Sequence, residues 1–326
     1  MYNQELKEQF VSEHSKNEGK REVLHTLFGA LGKHEERLGK DFCQMNAEEL
    51  RQVVPEVIGS RSVSRSARKV TLHTYCQWCV DRGVPGAGMA IREIDFNDLS
   101  ADKLRRQSVA NPQHLQRYMD TIFEKETEDT VDLVYRCFFW LAYIGIMRDE
   151  DALNIDVSDV DLDAMAVHFG GKDYPMCRES IYCIKKCATL QEFRFLHPNY
   201  GLKIKSRTPG TKLLRGLMGA VSLPKFRCVI NRKIRLARTL QNDGQKDPSL
   251  DLSLSYNRVW LSGRFYTMLE NERAGMSVDF TYLAEEFMEG KEYNLSSGRN
   301  LIGAKERQIA KSYMRDYERW KSVYSV

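Results

Sequence analysis

Apolar residues recur at spacings of three and four through segments such as EVLHTLFGALGKH and ARKVTLHTYCQWCV, so the chain up to about Gly83 is expected to form short packed helices. Ser62, Ser64 and Ser66 are candidate caps for the second segment. Such a cap puts Arg65, Arg68 and Lys69 in the first turns, where backbone N–H groups not yet used by the helix also attract phosphate. Residues 84–112, VPGAGMAIREIDFNDLSADKLRRQSVANP, mix Gly, Pro, Asn and charge without a sustained period, which suits a linker with one short helix. The domain boundary is drawn there: a helical domain over residues 1–107, with the linker from about residue 84, and a second domain over 108–326.

The second domain opens on helical patterns that include VDLVYRCFFWLAYIGI, too short to span a bilayer and better suited to a buried core helix ending near Gly145. After an acidic turn, MAVHF and ESIYCI read as two short strands separated by GGKDYPMCR, a hairpin with Lys172 near its tip. The remainder reads as mainly helical: basic segments up to Arg238, a Gly/Asp/Pro loop at 241–248, and helices across 255–272, 280–289 and 304–324. No internal repeat or low-complexity segment is present. The expected fold is mainly α, in two domains, with a small β-hairpin or sheet.

Composition narrows the class. At 326 residues, 42% hydrophobic and 29% charged, the chain has a globular balance and a length that suits about two domains. No apolar run approaches the ~20 residues of a membrane span, and MYNQELKEQF lacks a signal-peptide core, so a cytoplasmic location is expected and no membrane partner. The eight cysteines are scattered, which favours reduced thiols over a disulfide framework. His73, Cys76 and Cys79 have a metal-like look, but such a set drifts around a helix, so core packing is expected, with no metal and no cofactor.

The net charge of +4 matters less than where the charges sit. Residues 203–238 hold Lys203, Lys205, Arg207, Lys212, Arg215, Lys225, Arg227, Arg232, Lys233, Arg235 and Arg238 and no acid. Residues 57–80 hold Arg61, Arg65, Arg68 and Lys69, again without an acid, whereas 149–163 carries only acids. Two segregated basic stretches attract a polyanion, although single charge runs are commonly solvated helix faces.

The order of elements resembles a tyrosine recombinase, or phage integrase: a helical core-binding domain, a linker, then a mixed domain with a helix-end Arg and a hairpin Lys. The segment GIMRDEDALNIDVSDVDLD is similar to the family pattern of Gly-Leu-Arg, an acid three residues later, and a turn into the hairpin. The resemblance makes Arg148 the first catalytic arginine and Lys172 the hairpin lysine. Asp151 replaces the usual Glu and Gly145 sits one residue early. By itself, Arg148 has a plainer use, offsetting the negative end of the preceding helix.

The family reaction needs a tyrosine hydroxyl to attack a phosphodiester while arginines, histidines and a lysine neutralise charge and protonate the leaving oxygen. NLIGAKERQIAKSYMRDY resembles the nucleophile segment, with Tyr313 in the nucleophile position and Ala304 where histidine belongs. SVDFTYLAEEFMEG resembles the segment bearing His-x-x-Arg, with Met276 at the histidine and Asp279 at the second arginine. The seven histidines are 14, 25, 34, 73, 114, 168 and 197, so the C-terminal third has none to offer. Each missing charge-stabilising group costs about 2.7–4 kcal/mol of barrier, and several are missing together. The expectation is therefore no recombinase activity, with Tyr313 an ordinary aromatic residue on an amphipathic helix.

The resemblance also implies that the helix before the His-x-x-Arg segment, SYNRVWLSGRFYTMLENE, enters the major groove. Asn257 and Arg264 are seven apart and share a side, while Leu261, Phe265 and Met268 have the spacing of a buried stripe. Asn and Arg suit adenine and guanine edges, and Arg258 suits base or phosphate. In ERWKSVYSV, Trp320, Val323 and Tyr324 have the spacing of a helix docked on the chain's own core. Family tails also reach neighbouring protomers, so a homo-oligomer through this tail is the second reading. The implied function is a sequence-specific double-stranded DNA-binding regulator, a phage or prophage repressor acting at operator sites on the bacterial nucleoid. Its rivals are a working recombinase using Arg148, Lys172 and Tyr313, and a protein-interaction module on the same scaffold.

Overall fold

A computed structural model of the chain describes residues 2–15, 17–59, 62–123, 130–197, 199–217, 219–248, 250, 252–288 and 300–324. In chain order the elements are α1 (Gln4–His14), α2 (Glu18–Leu38), α3 (Ala47–Val57), α4 (Ser62–Asp81), α5 (Phe96–Arg106), α6 (Pro112–Ile122), α7 (Val131–Ile144) and α8 (Asp149–Asn154). There follow β1 (Val160–Asp161), β2 (Ala166–Phe169), β3 (Lys172–Pro175), α9 (Arg178–Thr189), β4 (Glu192–His197), β5 (Gly201–Ser206), β6 (Arg215–Gly216) and β7 (Gly219–Ala220). The chain closes with α10 (Leu223–Asn242), α11 (Tyr256–Arg273), α12 (Phe280–Met288) and α13 (Asn300–Tyr324). It is mainly helical, with small antiparallel sheets.

The backbone divides into two compact units, Met1–Arg105 with Asn294–Val326, and Arg106–Tyr293. The sequence reading carries the second domain to residue 326, whereas α13 groups with the N-terminal unit. The reason is apolar: α13 packs against α4, and Tyr313, Tyr317 and Trp320 are buried there. The Tyr324 hydroxyl donates to the Arg105 carbonyl at 3.1 Å, so the tail's aromatic residues are spent within this unit.

In the first unit, α2 starts at Asn17, whose side chain accepts from Gly19 N, and buries Leu24, Leu27, Phe28 and Leu31 at helical spacing. Asn46 and Glu49 cap α3 reciprocally. The core also encloses charge. Lys7 pairs with Glu35 and lies 3.5 Å from Asp41, all three fully buried. Asp41 accepts from the Tyr75 hydroxyl at 2.9 Å, and Glu35 accepts from Phe42 N at 2.9 Å. A charge can stay in such a core because every partner is satisfied.

In the second unit α7 is the central helix, with α9 and α11 packed on it. Gly263 sets the α7 and α11 approach: a Cβ built there would lie 1.9 Å from the Tyr143 carbonyl oxygen. The hairpin differs from the sequence reading. Strand β2 pairs with β3, Phe169 opposite Lys172, around Gly170 and Gly171 at φ 59° and 72°. Two consecutive positive φ values make the two-residue turn that matches strand twist, so Gly-Gly is the turn and KDYP the second strand. ESIYCI lies instead in α9, which buries Ser180, Cys183, Ile184 and Cys187 in a 3.6-residue period. Part of the basic stretch expected to be helical is a second hairpin, β4 with β5, in which Lys203 and Lys205 stand on a strand.

Candidate functional site

The chain leaves α7 at Gly145 and runs extended to Arg148, the residue before α8. Two α11 side chains hold this segment: Trp260 Nε1 donates to the Gly145 carbonyl at 3.2 Å and the Tyr256 hydroxyl to the Ile146 carbonyl at 2.9 Å. Beside it the β2–β3 hairpin brings Lys172 and Tyr174, and α12 brings Glu286. Together they line a pocket of about 180 Å³ that includes Arg148, Asp151, Lys172, Tyr174 and Glu286. The two cationic residues singled out from the sequence thus meet in one site.

The pocket's charge is balanced, two cations against the carboxylates of Asp151 and Glu286. Glu286 is 5% exposed and pairs through Oε1 with Arg264 Nη2 at 2.8 Å. The Arg264 guanidinium also lies 5.9 Å from the Tyr174 and Tyr282 ring centres, while Lys172 Nζ stands 5.8 Å from the Tyr282 ring. Burial pushes the Tyr174 hydroxyl pKa up, and the Glu286 charge adds to that. A phosphate entering between Arg148 and Lys172 also meets the Asp151 carboxylate, which offsets part of their attraction, while the Glu286 charge is engaged by Arg264.

The positions matched to lost catalytic groups lie elsewhere. Met276 follows α11 and is 54% exposed. Asp279 caps α12, accepting from Thr281 N at 2.8 Å and Tyr282 N at 3.4 Å. Neither lines the pocket. Tyr313 is 0% exposed in the first unit, and the side chain of Ala304, in α13, lies outside the described set. Sequence reasoning missed Glu286. Its signal was a carboxylate among the apolar residues Leu283, Ala284 and Phe287 of a helix, an unusual place for an unpartnered acid.

The basic residues separate into two groups. Lys203 and Lys205 lie on β5, where every residue is exposed, and Arg232 is exposed on α10. Asn257 is exposed at the start of α11 and lines a groove of about 570 Å³ with Asn231, Arg235 and Arg238 of α10. Lys69 is exposed, its Nζ 5.5 Å from the Phe96 ring, and Arg258, half-buried, donates to Gln107. Arg61 lies outside the described residues.

Other residues assigned to the DNA surface make contacts within the protein, and Arg207 is corrected to a buried structural role. Arg207 is 7% exposed, and its guanidinium donates to the Cys187, Leu190 and Leu213 carbonyls at 2.7, 3.2 and 2.5 Å. It closes the C-terminal end of α9, whose last carbonyls need donors, and burial lowers its pKa. Lys212 donates to the Asn154 carbonyl at 2.5 Å and to Asp156 at 3.2 Å, and Lys233 to buried Asp132 at 2.7 Å. Arg68 donates to the Val57 carbonyl. Arg65, though only 6% exposed, lines a cleft with Lys69, Arg315 and Arg319 and so stays within reach of a phosphate. Arg264 is turned toward Glu286. In α11, Phe265 and Met268 are buried and Leu261 is half-buried, but burial extends to Val259, Trp260 and Ser262 because the helix packs broadly on α7.

No described helix is long and apolar enough to cross a membrane. No curated protein matches the chain. Residues 1–81, from α1 through α4, match the family model described as MrpR, N-terminal core-binding domain, which fits a phage-integrase-like origin for this segment.

Proposed function

We propose that the chain is a sequence-specific double-stranded DNA-binding transcriptional regulator, a phage or prophage repressor on a tyrosine recombinase scaffold that no longer exchanges strands. The observation that carries this reading is the pocket holding Arg148 and Lys172. Among the described residues its lining holds Asp151 and Glu286, no histidine and no second arginine, and the neighbouring Arg264 is engaged by Glu286. Such a site offers a phosphate little net attraction and no imidazole to move a proton. Exposed cations on β5 and α10 and the core-binding match over residues 1–81 support retained DNA binding. The overall pattern also resembles the integrase-like master repressor of an SP-beta-type prophage, and the same reading extends to that role.

The test is selection of bound fragments from phage and host genomes, followed by mobility shifts across salt concentration. Tight, salt-sensitive binding to a small set of sites near promoters supports the reading; absence of any shift rejects it. The meeting of Arg148 and Lys172 favours a second reading, a recombinase with substituted catalytic groups. A nicked suicide substrate separates the two. Covalent capture lost in Tyr313→Phe supports the enzyme, whereas no capture, with Tyr313→Phe binding and regulating normally, supports the repressor.

A further inference from the structure

The first unit contains a second cluster of cations. Helices α4, α5 and α13 form an open cleft of about 630 Å³ lined by Arg65, Lys69, Asn97, Arg315, Glu318 and Arg319, four cations against one carboxylate. Arg65 and Lys69 come from α4, and Arg315 and Arg319 from α13, one helical turn apart. Asp316 and Asp95 also act electrostatically on Arg65 and Arg319.

The arginines lie close enough to act on one another. Burial first, and then the neighbouring Arg319 charge, pull the Arg65 pKa down to about 10. Arg319 Nη2 donates to Asn97 Oδ1 at 3.3 Å, while its buried Nη1 finds no acceptor among the described residues. A buried charged donor left unmade is costly, and a planar guanidinium is shaped to meet two oxygens of one phosphate.

We infer that this cleft is a phosphate-binding site whose cations come in equal part from α4 and from the C-terminal helix. The phosphate belongs either to the backbone of bound duplex or to a free phosphorylated small molecule. The first source rests on the proposed function and the second does not. Three guanidinium groups and one ammonium, with Phe96 under the Lys69 amine, favour a tetrahedral dianion or diester over a lone carboxylate.

The experiment uses the full chain, with Arg319→Gln, Arg315→Gln and the charge-keeping Arg319→Lys. Thermal unfolding is followed while inorganic phosphate replaces chloride at constant ionic strength, and duplex binding is measured across salt. If the site takes free phosphate, phosphate raises the midpoint of the wild-type chain, both Gln variants lose the response, Arg319→Lys keeps part of it, and duplex affinity is unchanged. If it takes a backbone phosphate, Arg319→Gln and Arg315→Gln each weaken duplex binding and reduce the salt slope by about one. Arg315 is exposed, so its variant guards against a folding defect at Arg319. A chain that binds no duplex but responds to phosphate sinks the DNA reading and keeps the pocket. No phosphate response combined with unchanged duplex binding in both variants overturns the inference, as does a response that both variants keep in full.

Discussion

Arg264 Nη2 and Glu286 Oε1 lie 2.8 Å apart, joining α11 to α12 beside the pocket that holds Arg148 and Lys172. The pair is largely buried, so its two members depend on each other. Glu286→Ala leaves a buried guanidinium without its counter-ion and is expected to destabilise the second unit by about 3–5 kcal/mol. Replacing both residues with leucine is expected to cost far less. Denaturant unfolding of the two single variants and the double variant gives the coupling energy; independent, additive effects contradict the assignment.

Gly263 is expected to tolerate no side chain. Its Cβ position lies within 1.9 Å of the Tyr143 carbonyl oxygen, backbone that cannot rotate away, so Gly263→Ala must push α11 from α7. Such overpacking costs about 1–3 kcal/mol or more, read as a lower unfolding midpoint. An unchanged midpoint would show that the two helices approach less closely.

His168 makes the β2–β3 hairpin sensitive to pH. Its Nδ1 lies 2.7 Å from Asp173 Oδ1 and its Nε2 3.6 Å from Asp161 Oδ2, and these contacts, the Asp173 bond first, raise its pKa. A raised folded-state pKa contributes stability that is fully present below the unfolded histidine value, about 6.5, and lost as pH rises through the folded value. Amide exchange over residues 166–175, corrected for intrinsic rates, is expected to accelerate across that window. An NMR titration of His168 at or below the free-histidine value contradicts this.

The cations separate experimentally as they do structurally. Lys203→Gln, Lys205→Gln and Arg232→Gln are expected to weaken binding to every duplex, with a salt slope lower by about one for each phosphate contact removed. Arg207→Gln is expected to lower stability, because three carbonyls lose their donor. Arg264→Ala is expected to act through the loss of its ion pair. Asn257→Ala, at an exposed position on the α10–α11 groove, is expected to relax discrimination at one base pair by about 1–3 kcal/mol. Competition shifts on the selected site and its point variants report that change, and an equal loss on every sequence removes Asn257 as a base reader.

Local patterns were legible along the chain. The periods of α2, α4, α7 and α11, the Gly145 helix end and the meeting of Arg148 with Lys172 follow from neighbours in sequence or from the family resemblance. The second strand of the β2–β3 hairpin was not legible, because ESIYCI fits a period of two as well as the 3.6-residue burial of α9 to which it belongs. A cation's fate was not legible. Lys203 and Lys233 sit in one acid-free run, yet Lys203 stands on an exposed strand while Lys233 neutralises Asp132, 101 residues away. Arg207 likewise goes to the end of α9 and Arg264 to a glutamate on another helix. Periodicity is a property of adjacent residues, so the chain alone indicated most of the helices, α9 excepted, and showed that no histidine lies beyond residue 197. Charge compensation depends on what distant backbone ends and carboxylates are brought within about 3 Å, and only the tertiary structure decided that.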